Sequence, residues 1–173
     1  NYRTTPDCMP HLLDNKNVKM LTSHKVFSEA ELKSRCEIML DNYCKTVLIE
    51  ANTMIDMAKT EIAPAISAYV LELANTASTK KAVDESISCG YETELLKKLS
   101  GFEEQISIYA EELEEAVMNL QDIEDIETKA YGIRDRVLNK MSELRVVCDE
   151  AEKVTAKKYW PFPTYGELLF GAR

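Results

Sequence analysis

The sequence has little of what loop-rich and sheet-rich proteins contain. Five glycines and five prolines among 173 residues leave few turn signals, which argues against an all-β fold. No apolar run approaches the roughly 18 residues of a membrane span, and the first residues lack the pattern of a secretory signal peptide. We therefore expect a helical protein without a membrane partner.

Positive charge is scarce as well. The chain carries 21 basic and 30 acidic residues, which gives a formal net charge of −9. Its basic residues gather only in isolated doublets such as Lys80-Lys81, Lys97-Lys98 and Lys157-Lys158. A chain of this charge repels phosphate backbones. We therefore expect no nucleic-acid partner.

Residues that support metal or nucleophilic chemistry are also few. The two histidines, His11 and His24, lack the glutamate three positions earlier that di-metal helical bundles use. No zinc-ligand spacing and no glycine-rich phosphate loop occurs. A Cys–His nucleophile pair stays open on spacing alone, although no motif supports it. We predict no catalytic, cofactor-binding or metal-ligating residue in this chain.

The five cysteines are odd in number and form no C-x-x-C pair. We expect buried, reduced thiols in a cytoplasmic protein rather than a disulfide framework. The cysteines are Cys8, Cys36, Cys44, Cys89 and Cys148.

Helical periodicity is the strongest positive signal. Ser28 and Glu31 have the spacing of a capping box, and apolar residues then recur every three or four positions. This pattern predicts a helix over 29–83 with a kink at Pro64, because proline removes one hydrogen bond from the helix. Two further stripes predict helices over 91–121 and 125–158.

Three such helices with short connections bury their stripes best as an antiparallel bundle. We therefore predict an all-α fold with three regions. Residues 1–27 form short helices, with Asp14 as a cap, residues 28–158 form the long-helix bundle, and residues 159–173 form an irregular tail rich in aromatic residues and proline.

The predicted helices differ in length. The first would extend about 80 Å and the other two about 45 Å each. We expect the half of the first helix before Pro64 to need a further partner, and the tail to dock as a clamp on the bundle or on a partner. The predicted interface residues are Leu32, Arg35, Met39, Tyr43, Val47, Trp160, Phe162, Tyr165, Leu169 and Phe170.

Several segments, taken in order, resemble the C-terminal region of type III glutamine synthetases. They are NYRTTP at 1–6, VFSEAELKSR at 26–35, IEA at 49–51 with IAPA at 62–65, and YWPFPTYGELLF at 159–170. The resemblance spans essentially the whole chain. Its most specific parts are the opening of the long helix and the aromatic tail.

The resemblance implies a bacterial enzyme that joins glutamate and ammonia with ATP and Mg²⁺ or Mn²⁺. It places that chemistry in an upstream catalytic domain, and the start at Asn1 is typical of an internal cut. We expect this fragment to be non-catalytic and to need no cofactor. Its implied partners are the upstream domain and further subunits of a ring-shaped homo-oligomer. The alternative is a free-standing coiled-coil adaptor or scaffold.

Overall fold

A computed structural model describes residues 2–163 and 165–171. All regular structure in these residues is helical, which confirms the predicted all-α class. The α-helices are α1 (Thr5–Cys8), α2 (Asn15–Ser23), α3 (Glu29–Met57), α4 (Ala63–Val83), α5 (Gly90–Gln121), α6 (Ile126–Gly132), α7 (Leu138–Glu152) and α8 (Tyr165–Phe170). A 3₁₀ helix covers Met9–Leu13, and π-helical turns cover Ala58–Ile62 and Ile133–Val137. No described helix is both long enough and apolar enough to cross a membrane.

The start of α3 follows from local sequence. The Ser28 N–H donates to Glu31 Oε2 at 2.7 Å, and the Glu31 N–H donates to Ser28 Oγ at 3.3 Å. The predicted capping box is therefore confirmed, and it satisfies N–H groups that the first helical turn leaves free. Lys25 ends the preceding helix in the left-handed conformation, with φ 56°.

Asp14 holds the predicted cap position of α2 but does not cap it with its side chain. The carboxylate instead contacts His11 Nδ1 at 2.9 Å. The Asp14 backbone carbonyl accepts from the Asn17 N–H at 2.8 Å. The short N-terminal helices are thus present, with a different role for this aspartate.

Pro64 is the second residue of α4 and directly follows a π-helical turn, Ala58–Ile62. Proline has no N–H to donate and crowds the preceding turn, and a wider turn is one way for a helix to absorb this defect. Because α4 starts at once after that turn, Pro64 does not end the helical stretch. This agrees with the prediction from the apolar periodicity.

The helix predicted over 125–158 differs from the structure at its C-terminal end. Helix α7 ends at Glu152. Both the N–H and the hydroxyl of Thr155 donate to the Ala151 carbonyl, at 2.9 and 2.8 Å. The Val154 N–H also donates to this carbonyl, across three residues and at 3.2 Å, which is the tighter pattern of a helix end. The helix therefore ends about six residues before the predicted end.

The sequence predicted an irregular tail, but part of the tail is helical in the structure. Two prolines, Pro161 and Pro163, keep the first part non-helical, since the residue before a proline disfavours helical geometry. Beyond them α8 forms over Tyr165–Phe170. The prediction of an irregular tail is therefore wrong for these six residues.

The chain divides into two compact units. The first unit contains the residues up to Thr53 together with Leu113–Met141. In it, the end of α5 and α6 approach so closely that a Cβ on Gly132 would lie 2.6 Å from Leu120 Cδ2. Asp125 caps α6 by accepting from the Thr128 N–H at 2.9 Å.

The second unit contains Met54–Glu112 and the residues from Ser142 onward. Its α4 and α5 meet through Ser67 with Glu103, and nearer the connecting loop through Lys80 with Glu92 at 2.5 Å. From the first contact to the second, the residue number rises along α4, from 67 to 80, and falls along α5, from 103 to 92. Within this unit the two helices therefore run in opposite directions.

Candidate functional site

The inner face of α3 is covered within the chain. Six of its side chains are only 0–6% exposed, namely Leu32, Cys36, Leu40, Cys44, Val47 and Ala51. The expectation that this half of the helix needs a further partner is wrong for these positions. Leu32 and Val47, two predicted interface residues, belong to the core, and a partner could reach them only if the first unit opened.

An N-terminal strap, defined here as residues 4–13, supplies part of that cover. The Cys36 thiol donates to the Met9 carbonyl at 3.4 Å, and the Tyr131 hydroxyl donates to the Pro6 carbonyl at 3.1 Å. Pro6 itself is fully buried. The strap therefore supplies cover that the three predicted long helices do not.

Arg134 anchors the strap from the π-helical turn Ile133–Val137. Its Nη1 lies 2.5 Å from Asp7 Oδ1, and its Nε lies 2.7 Å from Asp135 Oδ1. A hydrogen bond from Thr4 and the nearby guanidinium lower the pKa of Asp7. The Arg134 guanidinium also lies 4.8 Å from the ring centre of Tyr131. The Arg134 side chain thus contacts Asp7 of the strap, Asp135 of its own turn and Tyr131 of α6.

Tyr43, another predicted interface residue, is half-buried beside this cluster. Burial raises the pKa of its phenol. Its hydroxyl is buried and has no hydrogen-bond partner among the described residues. The apolar periodicity includes Tyr43 in the stripe of the first helix, but it did not indicate that the hydroxyl would be buried.

Two predicted interface residues, Arg35 and Met39, line an open groove in the first unit, here called the α3 groove. Ile38 and Met39 are 54% and 50% exposed there, and the Arg35 guanidinium lies 4.4 Å from the ring centre of Phe27. The groove has a volume of about 460 Å³. Its lining consists of Leu12, Phe27, Glu31, Ser34, Arg35, Ile38 and Met39.

The first part of the tail packs on the second unit. Tyr159 stacks on Tyr69 with ring centres 5.3 Å apart, and its hydroxyl donates to Glu72. Lys158 pairs with the same carboxylate at 2.5 Å, and these two partners lower the pKa of Glu72. Trp160 and the Phe162 ring are half-buried and meet edge to face at 6.5 Å.

The end of the tail is open. Leu168, Leu169 and Phe170 of α8 are 67%, 72% and 80% exposed. Glu167 ties the helix to Lys157 at 2.8 Å. The side chain of Tyr165, also predicted in the interface, lies outside the described residues. Leu169 and Phe170 are therefore the predicted tail residues that are most accessible to a partner.

A second groove, of about 610 Å³, follows the outer face of α4. The sequence reasoning missed it because Leu71 and Val83, both exposed, lie off the main apolar stripe. Apolar residues outside the main stripe were the sequence feature that could have indicated this groove. The groove is lined by Ala68, Leu71, Glu72, Asn75, Thr76, Thr79, Lys80, Val83, Ile87 and Tyr159.

Three of the five thiols, those of Cys36, Cys44 and Cys148, are poorly suited to nucleophilic chemistry. Burial raises the pKa of Cys36 and Cys44, and raises that of Cys148 to about 11. A reactive cysteine instead needs a stabilised thiolate. The described residues contain no group of three or more His, Cys, Asp or Glu side chains that could hold a metal ion. What the arrangement offers is surface for contact.

Comparison with known proteins finds a matching family. Residues 1–81 match the sequence model of the glutamine synthetase C-terminal domain. The whole chain is 34% identical over 174 aligned positions to a glutamine synthetase of Butyrivibrio fibrisolvens. Residues 1–81 thus match this family, and the whole chain is similar to part of a glutamine synthetase.

Two further relatives agree with this assignment. A type-3 glutamine synthetase of Dictyostelium discoideum and a glutamine synthetase of Bacteroides fragilis are each 27% identical over 98% of the chain. The resemblance to type III glutamine synthetases is therefore confirmed. The chain spans about a quarter of the length of these relatives, 25% of the first and 24% of the other two.

Proposed function

We propose that this chain is a non-catalytic helical domain of a type III glutamine synthetase and that it serves assembly of the enzyme. Two open apolar surfaces carry the proposal: the α3 groove with Ile38 and Met39, and α8 with Leu168–Phe170. Exposed apolar surface of this kind marks sites of association. The catalytic thiol that a bundle enzyme could use is disfavoured by burial.

The names of the relatives support a ligase in the full-length protein. We propose that it makes glutamine from glutamate and ammonia with ATP and a divalent cation, Mg²⁺ or Mn²⁺, in a catalytic domain upstream of this chain. On this proposal the protein is a bacterial enzyme of the cytoplasm. Its helical domain contacts the upstream domain and further copies of the subunit in a homo-oligomer.

We further propose that the three long helical stretches form the antiparallel bundle predicted from the sequence. The opposite course of α4 and α5 in the second unit supports this arrangement. So does the close approach of Gly132 to Leu120 across the short turn between α5 and α6. Short connections between long helices favour antiparallel neighbours.

The assembly role is tested in the full-length protein with one aspartate substitution on each surface, Met39→Asp and Phe170→Asp. We expect either change to lower the fraction of assembled enzyme in native mass spectrometry, because a carboxylate in an apolar contact has to be desolvated. Met118→Asp, at an exposed position of α5, is the matched control. An intact assembly with both surfaces changed would contradict the proposal.

The non-catalytic role is tested separately with the 173-residue chain alone. We expect no ATP-dependent formation of glutamine from glutamate and ammonia. Turnover by the purified chain that persists after removal of contaminating enzyme would overturn this part of the proposal and leave the assembly result standing.

A further inference from the structure

We propose that α8 of one subunit docks in the α3 groove of a second subunit, with Glu167 facing Arg35. This inference rests on the proposed role in assembly and names the two surfaces that meet. It assigns one function to two open apolar regions, the groove at Ile38 and Met39 and the residues Leu168–Phe170.

Helix α8 needs a supporting surface. Its six residues are about half of what an isolated helix requires in water, roughly 12–15 residues. Its described contacts include the Glu167 pair with Lys157 at 2.8 Å and the Gly171 N–H donating to the Glu167 carbonyl at 2.7 Å. Its three large apolar side chains meanwhile point to water. A docking surface would account for both features.

The α3 groove matches α8 in chemistry. Its apolar lining combines Phe27, Ile38 and Met39, and methionine adapts well to aromatic and aliphatic partners. Arg35 is exposed at its edge and supplies the positive charge that complements Glu167. The Glu167 pair with Lys157 on its own subunit lies at the surface, where such pairs contribute little, so exchanging Lys157 for Arg35 costs little.

The groove along α4 fits α8 less well. Its two charged lining residues are already engaged: Glu72 with Lys158 and Tyr159, and Lys80 with Glu92. Asparagine and threonine side chains occupy its middle, and these would have to give up water to face leucine and phenylalanine. Both grooves are lined by one acidic and one basic residue, and Arg35 already lies over the Phe27 ring near Glu31. The more apolar lining of the α3 groove therefore favours it as the site for α8.

A contact between different surfaces of two subunits is heterologous, and it continues from subunit to subunit until the rotation closes a ring. Every groove would then hold the α8 of a neighbour. The arrangement thus predicts contacts between subunits rather than within one, and this distinction can be measured.

Cross-linking tests the contact directly. Full-length subunits with Met39→Cys and full-length subunits with Leu169→Cys are produced in the same cells and oxidised. We expect a covalent dimer that carries one subunit of each kind. Pairing Leu169→Cys with Met118→Cys, and oxidising the unchanged protein with its own five cysteines, are the controls.

Charge exchange tests the proposed pairing. Arg35→Glu should lower the cross-linked fraction about tenfold, because two carboxylates then face each other. Glu167→Arg should lower it similarly, and the combination of both changes should restore it. Lys33→Glu, an exposed change of the same charge on the same helix, should leave the cross-linked fraction unaltered.

Three results would overturn the proposal: a mixed dimer no more abundant than in the Met118→Cys control, a disulfide that forms only within a single Met39→Cys/Leu169→Cys subunit, or no rescue by the double charge exchange. If cross-linking fails while Met39→Asp still disperses the enzyme, the assembly role survives with a different occupant of the groove. If Met39→Asp and Phe170→Asp also leave assembly intact, both proposals fail.

Discussion

The inner face of α3 and the apolar residues of α8 have similar hydrophobicity but different surroundings. Leu32 and Val47 are at most 6% exposed, whereas Leu168–Phe170 are at least 67% exposed. The strap supplies part of the cover of α3, at Cys36, and is itself held by the Pro6 hydrogen bond with Tyr131 and the Asp7 ion pair with Arg134. The second set lies on α8, whose Glu167 pairs with Lys157. The burial of an apolar stripe thus depends on which distant segments pack over it.

The largest expected effect is on the unfolding free energy, and it separates the buried side of α3 from its exposed side. Leu32→Ala should lower the unfolding free energy of the chain by about 2–5 kcal/mol, since it removes a fully buried leucine and leaves a cavity. Met39→Ala, on the exposed side of the same helix, should change it by no more than about 0.5 kcal/mol. Equilibrium urea unfolding measures both. Equal losses would mean that the groove side of α3 is core as well.

A smaller effect is expected from a substitution that weakens the attachment of the strap and leaves no cavity in the core. Arg134→Gln removes the ion pair with Asp7, so amide hydrogens of residues 4–13 should exchange faster in hydrogen-exchange mass spectrometry. Arg136→Gln, at a neighbouring exposed position, should leave their exchange unchanged. Unaltered protection in Arg134→Gln would show that the apolar contacts of the strap suffice.

The pH dependence of the strap should follow Asp7. Its folded pKa lies below the ordinary value of 3.8, first because of the hydrogen bond from Thr4 and also because of Arg134. The carboxylate form therefore favours the folded state, fully above pH 3.8 and progressively less as pH falls through the lower folded pKa.

NMR titration of the Asp7 carboxyl measures this shift, with Arg134→Gln as the comparison. The pKa should rise in that variant and still stay below 3.8 if the Thr4 hydrogen bond is retained. An ordinary pKa in the unchanged chain would contradict the described strap geometry.

The smallest expected effect concerns the tail. Phe170→Ser should change the unfolding free energy of the chain by no more than about 0.5 kcal/mol, because the ring is 80% exposed. Urea unfolding at a low protein concentration checks this, since association would add stability. A loss of several kcal/mol would show that the tail clamps its own chain, as the sequence first suggested.

Local signals were predictable from the sequence because they depend on neighbours along the chain. The capping box at Ser28 and the passage of the helical stretch beyond Pro64 belong to this class. The second helix, predicted over 91–121, is observed over Gly90–Gln121. The early end of α7 was missed because the apolar pattern continues to Val154, while the Val154 N–H donates to the Ala151 carbonyl across three residues, as at a helix end.

By itself, the sequence determined that the chain is helical, where its long helices begin, and which family it resembles. The tertiary structure decided which side chains of those helices are buried. Met39-Leu40 and Tyr43-Cys44 are adjacent apolar pairs, and steps of three and of four residues both fit a helix. In the structure Leu40 and Cys44 are the buried members of these pairs, and Met39 lies in the α3 groove. This choice depends on packing by residues distant in sequence, which periodicity alone does not specify.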